Sequence, residues 1–223
     1  MKKILFCLIA TVMFSTMSFG QDQKNFIAPE MYGVYHNELL QSYSDKYKKD
    51  EISDFIGLYD KLKKEFDILH PNVLTDEENE FYKNRLLDVI GSETIMTNIN
   101  FKSLTTIGLK KFYCLKTQTA LIDLLENPKA PEETINILNN LLADKSMTSN
   151  DINEIKKLLS VYKASVQFWT NSSFPFGTSS QKCDPIHQMF FADLCGCMFG
   201  GVGSVGYSWA IYAIQQHHGG GCI

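Results

Sequence analysis

The chain has 223 residues, 44% of them hydrophobic and 21% charged, with a formal net charge of −4. This excludes a collagen-like or low-complexity chain and predicts one medium domain with an appendage. With 21 basic against 25 acidic residues, the chain lacks the basic face that nucleic acid requires, so no nucleic-acid partner is expected.

Met1, Lys2 and Lys3 form a short basic start, followed by the apolar run Ile4–Met17 and then Ser18, Phe19 and Gly20. Small residues at Ser18 and Gly20 occupy the positions that signal peptidase reads, so residues 1–20 are expected to be a cleaved signal peptide. The apolar run falls short of the ~20 residues a span needs, which argues against an anchor. Cys7 has no small-residue box before it, which argues against a lipoprotein. Cleavage would leave 19 basic and 25 acidic residues, an exported protein of charge −6. The periplasm, the outer envelope and the extracellular space are the expected locations. Export permits disulfides. The remaining cysteines are Cys114, Cys183, Cys195, Cys197 and Cys222, an odd number, so at least one is a free thiol or pairs with another chain.

Residues 21–170 read as a helical body. Ile52, Phe55, Ile56, Tyr59, Leu62, Phe66 and Leu69 recur at three and four residues, and Pro71 stops that helix. Thr75 and Glu78 have the spacing of a capping box for the next, whose buried side holds Phe81, Tyr82, Leu86, Val89 and Ile90. One helix is expected from about Lys102 to Leu125, closed by Asn127 and Pro128. Pro131 suits a first helical position, with Glu132 and Glu133 beside the positive helix end. Thr148 is placed to cap a last body helix whose inward stripe runs from Ile152 through Ile155, Leu158 and Tyr162 to Trp169. The tyrosine-rich first third (Tyr32, Tyr35, Tyr43, Tyr47, Tyr59, Tyr82) reads as half-buried helix faces with wet hydroxyls, although tyrosines also suit a binding face.

Residues 171–185 form a linker rich in serine, phenylalanine and proline, and Asp184 before Pro185 predicts a helix start. Residues 186–223 form a glycine-rich apolar tail. Residues 168–223 hold nine of the 14 glycines and only three charges, Lys182, Asp184 and Asp193. Leu194–Ile214 carries none, and as a helix that stretch would be ~31 Å long, about the thickness of bilayer hydrocarbon. Ala192, Gly196, Gly200, Ser204 and Ser208 fall every four positions, a ridge along which another backbone could pack closely. The tail therefore either packs as a helix or broken hairpin against the protein, or enters a membrane and self-associates there.

Other signals fall short of a site. Gly201, Gly203 and Gly206 match the dinucleotide-binding string, but no acidic residue follows and no βαβ unit is expected. Cys195 and Cys197 with His217, His218 and Cys222 lack the spacing of a zinc finger or ribbon. Cys183 and His187 have helical spacing, but no carboxylate can be named to orient them as a nucleophile pair. No catalytic residue, metal ligand or cofactor is assigned.

Gly33-Val34-Tyr35-His36-Asn37, Phe168-Trp169 and Ala192-Asp193-Leu194-Cys195-Gly196 together give the chain its resemblance to a loose group of uncharacterised exported bacterial proteins common in Bacteroidota. These show a G-x-x-H-N start and an A-D-x-x-G glycine-zipper tail. The resemblance brings no activity. It picks out His36 and Asn37 as a polar pair, read as capping or buried hydrogen bonding with a ligand-holding role as the alternative. Relatives tend to show alanine and glycine where Cys195 and Cys197 stand, which favours packing over a metal site.

The sequence thus predicts an all-α protein, a multi-helix body followed by a small-xxx-small helical segment or hairpin. Its first functional expectation is a non-enzymatic exported protein whose tail mediates close helix packing at or in an envelope membrane, through lipid or self-association. The alternative is a soluble secreted interaction module with the tail buried as a hairpin. A metal-dependent or cysteine-based hydrolase ranks last, and the sequence names no protein partner.

Overall fold

A computed structural model describes residues 26–47, 54–91, 100–171 and 185–217. The expected signal peptide, nearly all of the linker, and Cys183, His218 and Cys222 lie outside them. The fold is all-α, and among the described residues there is no strand. The helices are α1 (Tyr32–Tyr47), α2 (Phe55–Leu69), α3 (Asp76–Ile90), α4 (Phe101–Phe112), α5 (Leu115–Glu126), α6 (Pro131–Leu142), α7 (Ser149–Asn171), α8 (Pro185–Gly196) and α9 (Gly200–His217). A short 3₁₀ turn, Pro29–Met31, leads into α1, and another, Cys197–Phe199, joins α8 to α9.

Local chemistry accounts for most helix ends. Asp54 caps α2 by accepting hydrogen bonds from the backbone N–H groups of Ile56 and Gly57. Pro131 opens α6 with Glu132 and Glu133 in its first turn. Thr148 and Asp151 form a reciprocal capping pair at α7: Thr148 Oγ1 accepts from Asp151 N at 3.2 Å, and Asp151 Oδ2 accepts from Thr148 N at 3.0 Å.

Three expectations need correction. The single helix from Lys102 to Leu125 is two helices, because Tyr113 is extended and Cys114 starts a new helix. Neither glycine nor proline marks that break; the Gln118 amide binds the carbonyls of Lys110 and Tyr113 across it. Thr75 caps α3 through Glu78 N, but the Glu78 carboxylate does not return to Thr75; it accepts from Ile27 N and Tyr32 Oη instead. Tyr32, Tyr43, Tyr59 and Tyr82 are fully buried and belong to the core, whereas Tyr35 is half-buried as expected.

The apolar tail is the centre of the molecule. Helices α8 and α9 pack against each other as a hairpin, with α7 along α8, and with α1 and α2 along α9. Gly200, at φ +77°, permits the reversal, and a Cβ there would meet the Tyr82 ring at 2.7 Å. Within the hairpin a Cβ on Gly196 would lie 2.9 Å from Ser204 Cα and 2.6 Å from Tyr207 Cβ, so bare backbone sets the spacing of the two helices. The five small residues are all buried but divided: Ala192 and Gly196 on α8, Gly200, Ser204 and Ser208 on α9. Phe199, Val205, Ala210 and Met198 complete a core shared with Leu39, Leu40, Leu62 and Leu158.

Candidate functional site

Gly33 lies where α1 crosses α7; its N–H donates to Ser160 Oγ at 2.9 Å, and a Cβ would fall 2.3 Å from Ser160 O. That close approach seats His36 one turn later in the interior, against α8. His36 Nε2 lies 2.8 Å from Asp193 Oδ1, both side chains fully buried, though without the alignment of a hydrogen bond. The other carboxylate oxygen, Oδ2, accepts from Ser165 Oγ at 2.7 Å and from the Trp169 indole Nε1 at 2.6 Å. Thus α1, α7 and α8 meet at one carboxylate.

Hydrogen-bond direction fixes the Nδ1 side of the imidazole. Asn37 Nδ2 donates to Ala164 O at 3.0 Å, which turns Asn37 Oδ1 toward His36 Nδ1, also at 3.0 Å. Nδ1 therefore donates to Asn37, and the Asp193 carboxylate beside Nε2 favours a proton there as well. Burial alone would lower the His36 pKa, but Asp193 and the bond to Asn37 more than offset this and hold it raised. The centre pairs a buried carboxylate with a buried imidazole whose charged form it favours.

Serine, histidine and aspartate are thus gathered, but not as a nucleophilic triad. Ser165 gives its proton to Asp193 and not to His36, so no serine hydroxyl is set against the imidazole as a triad requires. Their geometry orients helices.

A second buried network links α1, α3 and α7. Lys157 Nζ donates to Tyr82 Oη at 2.8 Å and to Glu154 Oε1 at 3.0 Å. The Tyr82 and Tyr32 hydroxyls are 2.9 Å apart, and Tyr32 donates to Glu78 Oε1 at 2.6 Å. Because the Tyr32 proton goes to Glu78, the Tyr82 proton goes to Tyr32, and the relay runs from ammonium to carboxylate. Burial is the chief cause that pushes Tyr82 up to about 12 and raises Glu78, while Tyr82 and Glu154 hold Lys157 above its ordinary value in spite of its burial. The Lys157 ammonium also faces the rings of Phe26, Tyr32 and Tyr82 within 5.1–5.9 Å, an aromatic cage filled by the chain's own cation. A narrow cleft lined by Ile27, Tyr35, Tyr59, Leu74 and Val202 lies beside this network.

Among the described residues no three histidine, cysteine, aspartate or glutamate side chains gather as a metal site. Cys195 and Cys197 are buried thiols, pushed up in pKa chiefly by that burial, and Cys114 is half-buried against Thr117 and Met147. The Gly201–Gly206 string lies within α9 and forms no phosphate loop.

No family model, curated protein or solved structure matches the chain.

Proposed function

We propose that the protein is an exported, non-enzymatic helical module whose glycine-rich tail serves close helix packing inside its own fold, leaving the outer helix faces to act as a soluble interaction surface. The observation that carries this reading is the position of the tail. The run Ile186–Ala213 is long and apolar enough to cross a membrane, and an 18-residue apolar window within it is 89% buried inside the protein. A segment covered by α1, α2 and α7 is not offered to lipid in this state. Export is supported by Lys2, Lys3, the apolar run and the Ser18-x-Gly20 pattern. The non-enzymatic reading is supported by the sealed Asp193 centre, whose hydrogen bonds are all committed to holding helices together.

The test is fractionation of producing cells with a carbonate wash, comparing the full chain with one ending at Ser180. The full chain is expected in the soluble exported fraction, and the shortened chain, without its core hairpin, in aggregates or degraded. Full-length protein retained on washed membranes beside a soluble truncation would overturn the reading in favour of a membrane-embedded tail.

A further inference from the structure

We propose that residues 26–28 are a pH-operated strap: a proton and the Ile27 N–H compete for one oxygen of Glu78, and when the proton takes it the strap lifts and opens the cleft it walls. The device is separate from the Asp193 centre and goes beyond the module described above.

The strap is pinned at one end and latched at the other. At its base Ser160 Oγ donates to Glu30 O at 2.8 Å and Met31 N to Ala28 O at 2.9 Å, with Ala28 extended (ψ 134°) ahead of Pro29. At its tip Ile27 N donates to Glu78 Oε2 at 3.0 Å, and the Phe26 ring leans on Phe81 and Tyr82. Both tip residues are half-buried, so water reaches their backbone once the latch opens. Ile27 also walls the cleft that Tyr35, Tyr59, Leu74 and Val202 line.

The relay decides where an added proton goes. Every bond runs toward Glu78: Lys157 to Tyr82, Tyr82 to Tyr32, Tyr32 to Oε1, and Ile27 N to Oε2. A proton on Oε1 would have to turn Tyr32 and then Tyr82 round, and the Tyr82 hydrogen would meet an ammonium that has only hydrogens to offer. Tyr82 is buried, so that hydrogen would be left without an acceptor. A proton on Oε2 displaces only the half-buried Ile27 N–H, which water then satisfies. The charge of Lys157 thus directs the proton to the strap side. The titratable groups around the carboxyl are Tyr32 from α1, Tyr59 from α2, Tyr82 from α3, and Lys157 and Glu154 from α7. On the hairpin side Phe199, Gly200, Gly201 and Val202 carry no charge. Burial holds the Glu78 carboxyl above its ordinary value, so the proton arrives at milder acidity than at a solvated glutamate, while the Ile27 bond pulls the other way. Docking and protonation therefore oppose each other through the same oxygen.

The experiment follows the Ile27 amide of the isotope-labelled full chain by NMR hydrogen exchange as pH is lowered through the titration of the Glu78 carboxyl carbon. Wild type is expected to lose about tenfold in exchange protection at Ile27 with the Glu78 midpoint, while the Gly33 amide, bonded to Ser160, keeps its own. In Glu78→Gln the relay holds the amide oxygen toward Tyr32 and turns the NH2 group on Ile27, which is expected to be unprotected at every pH. Tyr32→Phe takes the donor off Oε1, so the proton goes there and Ile27 is expected to stay protected through the titration. A wild-type Ile27 amide that keeps its protection overturns the proposal, as does one lost together with Gly33, because the whole fold is then opening. Protection retained in Glu78→Gln, or lost in Tyr32→Phe as in wild type, overturns it too. If a variant does not fold, the two wild-type amides decide.

Discussion

Trp169 and Asp193 are joined by a 2.6 Å hydrogen bond from the indole N–H to Oδ2, near the C-terminal end of the long helix α7 and within the hairpin helix α8. The indole is almost wholly buried, so one residue supplies both apolar area and a donor to a charge that has no water. Replacement by phenylalanine keeps much of the area and removes the donor, leaving Oδ2 to Ser165 alone. A loss of about 1–3 kcal/mol is expected for Trp169→Phe, read from the midpoint of urea unfolding.

Asp193→Ala is expected to cost more, about 3–5 kcal/mol, because it leaves buried His36 without its counter-charge. His36→Ala in the Asp193→Ala background should add far less than His36→Ala alone. Additive losses in that double-mutant cycle would mean the two residues are not coupled.

Stability should depend on pH in a definite direction. The folded His36 value is raised above 6.5, so its stabilisation is complete below that value and is lost as pH climbs through the folded one. Glu65 acts oppositely. It is buried between Ser42 and Lys46; burial works against its ionisation, but those two donors hold its carboxyl below the ordinary 4.5. Its contribution is present above 4.5 and disappears as pH falls through the lowered value. Unfolding midpoints measured across pH should decline on the alkaline side in wild type, and His36→Gln should flatten that limb.

Gly33→Ala tests the crossing of α1 and α7. The added methyl would fall on the Ser160 carbonyl, which is backbone and cannot swing away. A cost of about 1–3 kcal/mol is expected, against a near-neutral result for alanine at Gly201, where the nearest atom is 3.8 Å away on Tyr32. Thermal denaturation of the two variants side by side makes the comparison.

Thiol chemistry offers a probe of packing. Cys114 is half-buried, whereas Cys195 and Cys197 are inside the hairpin with thiols raised by burial. Under native conditions maleimide should label Cys114 well ahead of the other two, and urea should bring the rates together. Early labelling of Cys195, followed by mass spectrometry, would contradict the hairpin's place in the core.

Much of the helical order was legible because the apolar periodicity and caps were local. Thr75, Pro131 and Thr148 lie at the helix starts their chemistry implies. The break at Tyr113 was not legible, since it depends on Gln118 reaching backward to carbonyls and not on a breaker residue. Lys157 was not singled out, because a partner 75 positions away, Tyr82, leaves no trace in a local pattern. His36 and Asn37 were singled out, but Asp193, the partner of His36, was noted only as a tail charge and a letter of the tail motif. Ser165 gave no signal at all: a serine on a helix is ordinary until a carboxylate from another element arrives beside it.

The pairings of α1 also set the order in which the chain can mature. Gly33 waits for Ser160, 127 positions later, and Asn37 for Ala164 at the same separation. His36 waits longer, for Asp193. A chain emerging from a ribosome or a translocation pore would have more than a hundred residues free before the first helix finds its seat, since that seat depends on α7 and α8. Such a topology delays closure of the native fold until α8 has emerged, and keeps the early chain threadable in the meantime.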